Sequence, residues 1–546
     1  MNHSPAFTDV HGPRPPRGSI LMVVLVVVMI VSLGAYTFAE MMLAHHETAK
    51  LSTENQQTRW LVDAGIDTIR VHLSMTHEER LEAGGQFDNP MLFQATNIVP
   101  DPDPAAAANF TVLSPALNSD GYTAGIRYGL ENESSRLNLN ALTIADTFAE
   151  NGGRTMLMAL PGMTEDVADA IMDWIDEDDD PREYGAEYDY YQSLSSPYVP
   201  TNGPLNTVEE LLLVRGVIPQ LLFGADINRN GMIDAHEQAA LTAVQSAAEL
   251  STTAASASDS MITGSLERGW SSYLTLYSQE NNLNINGEPR INFNEEDLTK
   301  LHQDLSAVFS TDVANFVIAY RQGLPTASSD PDAVAIPAAA YPLDLLLPAE
   351  RDISQIIELI GIQLEAAPAE EGEDPIILQS PFPPETFGIY IDHLMDNAST
   401  NDNATIPGRL NINQAPRTLL SGVPGLTEEM IDRIVQERYT DPTQDTSDYT
   451  RHETWLVKNL IVTLDQMRSL QPFITGSGDV YRAQIVGYFE GGKASSRAEV
   501  VIDSTTVTPR IRLWRDLSHL GRGYTLEVLG YQYRTGDSAM PAPNIQ

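Results

Sequence analysis

Nothing constrains this chain more than residues 17–44, RGSILMVVLVVVMIVSLGAYTFAEMMLA, where a basic leader ending at Gly18 runs without a spacer into an apolar helix. Ile20–Leu33 has Ser32 as its sole polar residue, and Glu40 is the first charge beyond it. At about 1.5 Å per residue, roughly 20 helical residues span a bilayer. Arg14 and Arg17 precede the segment, with no acid nearer than Asp9. The positive-inside rule then keeps the N-terminus cytoplasmic and puts everything after about Ala44 outside. A secretory signal would carry its small-residue cleavage site after the apolar stretch and be discarded. Here the small-residue junction, Gly18 and Ser19, comes before it, so the helix is built to stay.

The helical pattern continues through EMMLAHHETAKLSTENQQTRWLVDAGIDTIRVHL, with no Pro or paired Gly before about Met75. From Ser19 that predicts one rod of roughly 85 Å. Leader and rod together resemble type IV pilins and pseudopilins, whose helix lies half in the membrane before assembly and half on a globular head. The resemblance implies cleavage by prepilin peptidase after Gly18, with Ser19 as the new N-terminus. The fifth mature residue of that family is usually Glu; here it is Val23.

A chain of 546 residues, 42% of them hydrophobic, exceeds one small domain and can fill a core. Its 75 acids against 32 bases give a net charge of −43. Affinity for a phosphate backbone comes from Lys and Arg displacing counterions, so this balance argues against nucleic acid. It favours calcium, cationic partners or solubility. The absence of cysteine excludes thiol catalysis and Cys-ligated zinc. No G-x-S-x-G, H-E-x-x-H or P-loop occurs, and no enzyme is expected.

After the long helix, Asn97–Val112 reads as a linker, followed by short strands at Phe110–Leu113 and Gly125–Leu130. Then RLNLN at 136–140, RINFN at 290–294 and RLNIN at 409–413 repeat one pattern, each leading into a helix-like segment. Alternation points both Asn to one side, and the second Asn is placed to cap the following helix. LPGMTEDVADAIMDWI and VPGLTEEMIDRIVQER share a Pro-Gly turn and an amphipathic helix, like a helix-hairpin-helix. Thr164 and Thr427 read as N-caps, with Glu165, Asp166, Glu428 and Glu429 in the first turns. A DNA-binding hairpin holds a phosphate at that helix N-terminus. Carboxylates already there favour a structural or protein-binding hairpin. Residues 251–265, 326–333 and 365–373 are loop-like, and β-forming runs from Gly478 onward predict a terminal antiparallel sheet.

The strongest chemical motif is DINRNGMIDAHE, residues 226–237, which matches an EF-hand loop at every defining position. Asp226, Asn228, Asn230 and Asp234 supply side-chain oxygens, Met232 a backbone carbonyl and Glu237 a bidentate carboxylate. Gly231 falls where φ > 0 is needed, Ile233 is expected to pack inward, and an exiting helix follows. A single such loop suits calcium at roughly 10⁻⁴–10⁻³ M. A second acidic cluster holds Asp173, Asp176, Asp178, Asp180, Glu187 and Asp189 without EF-hand spacing. Asp176, Asp178, Asp180, Glu187 and Asp189 form either a second calcium site or a solvated acidic loop.

DWIDEDDDPREYGAEYDYYQSL followed by NGPLNTVEELLLVRGV, with the Asn repeats and Pro-Gly turns in order, resembles general secretion pathway protein K, the large minor pseudopilin of bacterial type II secretion. The resemblance covers most of 17–520. It implies an α+β fold: a long N-terminal transmembrane pilin helix, a small antiparallel sheet and a large inserted α-helical domain carrying calcium. The expected layout is leader 1–18, pilin helix 19–75, pilin-body strands 76–135, inserted domain 136–475 with hairpin-like segments 136–200 and 409–440, and a C-terminal β-region 478–535. The implied role is at the tip of a periplasmic pseudopilus that supports protein export across the outer membrane. Implied partners are other minor pseudopilins, prepilin peptidase and the inner membrane, spanned once with the bulk periplasmic; nucleic acid is not expected. A minor pilin of a type IV pilus or DNA-uptake machine is the alternative. The 226–237 loop and the third Asn repeat, at 290–294, depart from that family pattern.

Overall fold

The computed structural model describes residues 19–103, 106–234, 237–239, 268–326, 334–366, 376–491 and 494–530. The leader 1–18, the linker 251–265, most of the exiting helix after Glu237, and parts of the loops 326–333 and 365–373 lie outside them.

Helix α1, Ser19–Leu73, runs unbroken for 55 residues. Its first half is apolar and entirely exposed, with mean hydropathy 2.7 over its most apolar window, long and apolar enough to cross a membrane. The second half changes character. Thr58, Leu61, Val62, Ile66, Ile69 and Leu73 recur at helical spacing and are all buried. They pack on one face of an antiparallel sheet against Phe110, Val112, Ile485, Val500 and Ile502.

That sheet has seven strands, which we number β1 (Thr96–Val99), β2 (Ala108–Leu117), β3 (Thr123–Arg127), β4 (Glu131–Asn132), β5 (Val480–Phe489), β6 (Ser495–Asp503) and β7 (Arg510–Asp516). The order is β1-β2-β5-β6-β7, with β3 on β2 and β4 on β5. The strands after residue 478 therefore complete the sheet begun at residue 96, and residues 133–479 loop out between β4 and β5. One expectation shifts here. The segment read as a linker forms β1 and the start of β2, because pairing with β5 overrides the weak strand propensity of its alanines. Gly487 lets α1 approach the sheet closely, since a Cβ there would meet the Thr58 carbonyl oxygen at 2.4 Å.

The looped-out region has its own large core, including Trp174, Trp270, Phe293, Phe316 and Trp455. Among its short strand pairings are three parallel ones of two residues each, Leu137–Asn138 with Leu274–Thr275, Ile291–Asn292 with Ala398–Ser399, and Leu410–Asn411 with Ile474–Thr475. Each uses one Asn repeat. The second Asn does not cap a helix, which corrects the expectation above. Instead the first Asn accepts the N–H of the second (3.0, 2.9 and 2.9 Å), closing a tight turn. The freed amide of the second then grips distant backbone: Asn140 clamps Leu205, Asn294 clamps Ile353 and Thr400, and Asn413 holds Thr450 and Gly476. At the root, Arg482 of β5 bridges Glu133, which is fully buried, and the partly buried Glu499, tying the looped-out region to the sheet.

Candidate metal centres

The 226–237 loop follows a short helix, Pro219–Phe223, and lies on the sheet face opposite α1. Asp226 accepts the N–H groups of Asn230 (3.0 Å) and Gly231 (2.8 Å), with Gly231 at φ 76°. Fully buried Glu237 accepts N–H from Ile227 and Asp234, both at 2.9 Å. Asp234 receives the Asn228 and Asn230 amides at 2.7 and 3.1 Å. The five ligand side chains thus share one hydrogen-bonded cluster, while Ile233 is partly buried. Burial pushes the Asp226 carboxyl above its ordinary range, with Glu237 adding to it against the two N–H groups and Arg268.

The loop backbone is held by the sheet. Asn230 donates to the Gly523 carbonyl at 2.6 Å, the Tyr524 hydroxyl donates to the Asn230 carbonyl at 2.8 Å, and Gln484 of β5 and Arg497 of β6 donate to the carbonyls of Arg229 and Asn228.

The second cluster begins where helix α2, Glu165–Ile175, ends. Asp169 and Asp173 face inward and are fully buried. Arg154 pairs with Asp169 at 3.0 Å, and Arg182 lies 3.5 Å from Asp173 and 2.9 Å from Asp146. Gly185 is required by close approach, because a Cβ would stand 1.7 Å from an Asp173 oxygen. Glu187 is 5% exposed, and both its carboxylate oxygens are buried without a hydrogen-bond partner, as is one oxygen of Asp176. Burial, then the charges of Asp173, Asp176, Asp179 and Asp178, pushes the Glu187 carboxyl up to about 7. Burial, then Asp178 and Asp173, pushes Asp176 up to about 6.

Glu187, Asp189 and Asp179 line one surface cleft with Tyr188 and Tyr190. Asp178 and Asp180 are exposed, Asp178 turning back to accept the Asp180 N–H at 2.9 Å. Asp179 joins the cleft although its spacing gave no sign of it. Among the described residues, no three acidic or imidazole side chains stand close enough to hold a metal unaided. In donor chemistry the loops do fit a hard cation. The 226–237 set is all oxygen once the two Asn amides turn, and the Glu187 oxygens are buried and unsatisfied. Gly18 lies outside the described residues; Ser19 is the first residue of α1.

The two Pro-Gly units each place a short helix, a turn with Gly at positive φ (Gly162 at 69°, Gly425 at 91°) and a longer helix, α2 and α3 (Glu428–Glu437). Thr427 caps α3 by accepting the Met430 N–H. Thr164 makes no such cap, and its hydroxyl instead bonds Asp166, lowering that carboxyl. At α3, Arg417 binds Glu428 at 2.7 Å and Asp432 at 2.5 Å.

Residues 135–223, which hold the first Asn repeat, the first Pro-Gly unit and the acidic cluster, match the family model described as type II secretion system (T2SS), protein K. No curated protein matches the chain. Among solved structures the chain is similar to one in the crystal structure of the GspK–GspI–GspJ complex from the enterotoxigenic Escherichia coli type 2 secretion system, at 11% identity and a TM-score of 0.35, over 86% of this chain and 99% of that one.

Proposed function

We propose that this chain, a member of the type II secretion protein K family through residues 135–223, acts as the minor pseudopilin that initiates and caps a pseudopilus and so supports protein export across the outer membrane. The observation that carries the reading is α1 itself: one continuous helix with a bare apolar half and a half clamped to an antiparallel sheet. The apolar half anchors the chain once in the inner membrane, with its N-terminus cytoplasmic and the remainder periplasmic. Prepilin peptidase frees Ser19. Val23 then stands where a carboxylate would pair with a neighbour's N-terminal amine, and an unmatched charge in hydrocarbon is costly. A subunit with Val there suits the first position, with nothing above it. The head inserted between β4 and β5 should clash with a copy of itself stacked along a filament.

The role is structural, with no catalytic group assigned. Other minor pseudopilins are the partners. Nucleic acid does not suit the second hairpin, since Glu428 and Glu429 occupy the first turn of α3 and Arg417 is already paired with Glu428 and Asp432. Calcium would be held by Asp226, Asn228, Asn230, the Met232 carbonyl, Asp234 and Glu237, and in the second loop by Glu187 with Asp176 and its neighbours. When bound it would supply positive charge to buried carboxylates and stiffen the loop that bridges head and sheet.

Deletion of the gene should abolish export of type II substrates to the medium while they accumulate in the periplasm, with restoration from a plasmid copy. Normal export together with lost DNA uptake would overturn the reading.

A further inference from the structure

Strand β7 ends the sheet: it pairs with β6 on one side, and among the described residues nothing pairs with its other edge. Its sequence, RIRLWRD, puts three arginines in seven residues of a chain with 75 acids and 32 bases. Arg515 is engaged by Glu209 at 2.8 Å. Among the described residues Arg512 reaches only Asp503, at 3.7 Å, and it is 47% exposed. Exposed Arg510 enters no ion pair among the described residues.

Between these cations lie large apolar groups. Trp514 is 52% exposed and Ile511 44%. Trp514 stands directly across from Val500, and Ile511 across from Ile502, both core residues beneath α1. Strict alternation would put Ile511 on the opposite face from Trp514. A register shift between Val501 and Ile502 brings both to the α1 side, just beyond the helix's cover. The helix flank adds charge of the same sign: Arg59 acts on Asp516, and Arg70 donates to the Pro509 carbonyl at 3.2 Å. A bulge and charges alone would serve to blunt a free edge. A half-bare Trp and Ile on one face do the reverse, and Trp and Arg dominate the energetics of protein interfaces.

We propose that the Trp514–Ile511 patch, rimmed by Arg510, Arg512, Arg59 and Arg70, is the docking surface for an acidic segment with an apolar stripe on a neighbouring pseudopilin. This deepens the reading above and rests on it. Opposite charge would steer the encounter and fix the register, while the tryptophan supplies the buried anchor.

The test uses the full chain in detergent, co-expressed with the other minor pseudopilins of its operon. Affinity is measured for the wild type, for R510E/R512E and for W514A, with K300E, reversed at a lysine paired with Glu295 elsewhere on the head, as control. We expect R510E/R512E to weaken the complex at least tenfold, W514A likewise, and K300E to leave it unchanged. Wild-type binding should also weaken between low and high salt, a dependence lost in R510E/R512E. Because Arg510 has no ion pair to break among the described residues, R510E alone serves if the double variant melts early. Wild-type affinity in both patch variants overturns the docking surface and leaves the family role intact. Absence of any wild-type complex overturns both. Binding of the wild type to anionic phosphatidylglycerol vesicles, lost in R510E/R512E, would assign the patch to the bilayer and also overturn it.

Discussion

Asn413 should be the costliest of the repeated asparagines to replace. Its amide donates to the Thr450 and Gly476 carbonyls at 2.7 and 2.8 Å, and its oxygen accepts the indole N–H of Trp455 at 3.1 Å. The residue is 6% exposed and Trp455 is fully buried, so water cannot replace the lost partners. Three bonds at about 1 kcal/mol each, with an orphaned indole donor adding about 1 more, set Asn413→Ala at roughly 3–4 kcal/mol. Asn140 bonds a single partner residue, Leu205, and is partly exposed. Asn140→Ala should cost about 1–2 kcal/mol. Asn413→Asp keeps the acceptor for Trp455 but aims a charge at two carbonyls, and should be worse than Ala. Urea unfolding of the detergent-solubilised chain, followed by tryptophan emission, ranks the variants. An Asp variant as stable as the wild type, or an Asn140→Ala costlier than Asn413→Ala, would refute the clamp.

Mass spectrometry of the mature protein should find Ser19 at the N-terminus; an intact Met1 or a terminus near Ala39 would contradict processing at Gly18. Calcium at a hundredfold excess over its Kd should stabilise the chain by about 2.7 kcal/mol, and Glu237→Ala should remove part of that. Equal melting in calcium and in chelator would dispose of both loops. Burial alone would raise the Glu499 carboxyl, but the Arg482 and Arg515 guanidiniums outweigh it and hold it at about 2, from an ordinary 4.5. Its contribution is therefore complete above about 4.5 and is lost as pH falls towards 2, so Glu499→Gln should flatten acid unfolding in that window. An unchanged profile in the variant would count against the network.

Much of this was legible because it depends on local pattern. The apolar run and the unbroken helical pattern beyond it announced one long helix, and the resemblance to pilins implied that its second half packs on a head, as the buried Leu61, Val62, Ile66 and Ile69 do. The Asn repeats announced a recurring unit, but neither the turn that the paired Asn close nor where Asn140, Asn294 and Asn413 would reach, since the partners lie 65, 59 and 37 residues away. No periodicity reports such distances. The same limit applies to the acidic cluster. Composition flagged the carboxylates, yet the inward turn of Asp173 depends on Arg182 and Gly185 folding back over α2. The strand β2 was truncated in the reading because Ala108 and Asn109 are poor strand formers until β5 pairs with them.

The position of the chain in the filament is the most direct test of the account. Immunogold labelling of isolated pseudopili with antibody to the head should place gold at one end of each filament, about one site per filament. Gold distributed along the filament length would contradict the tip assignment.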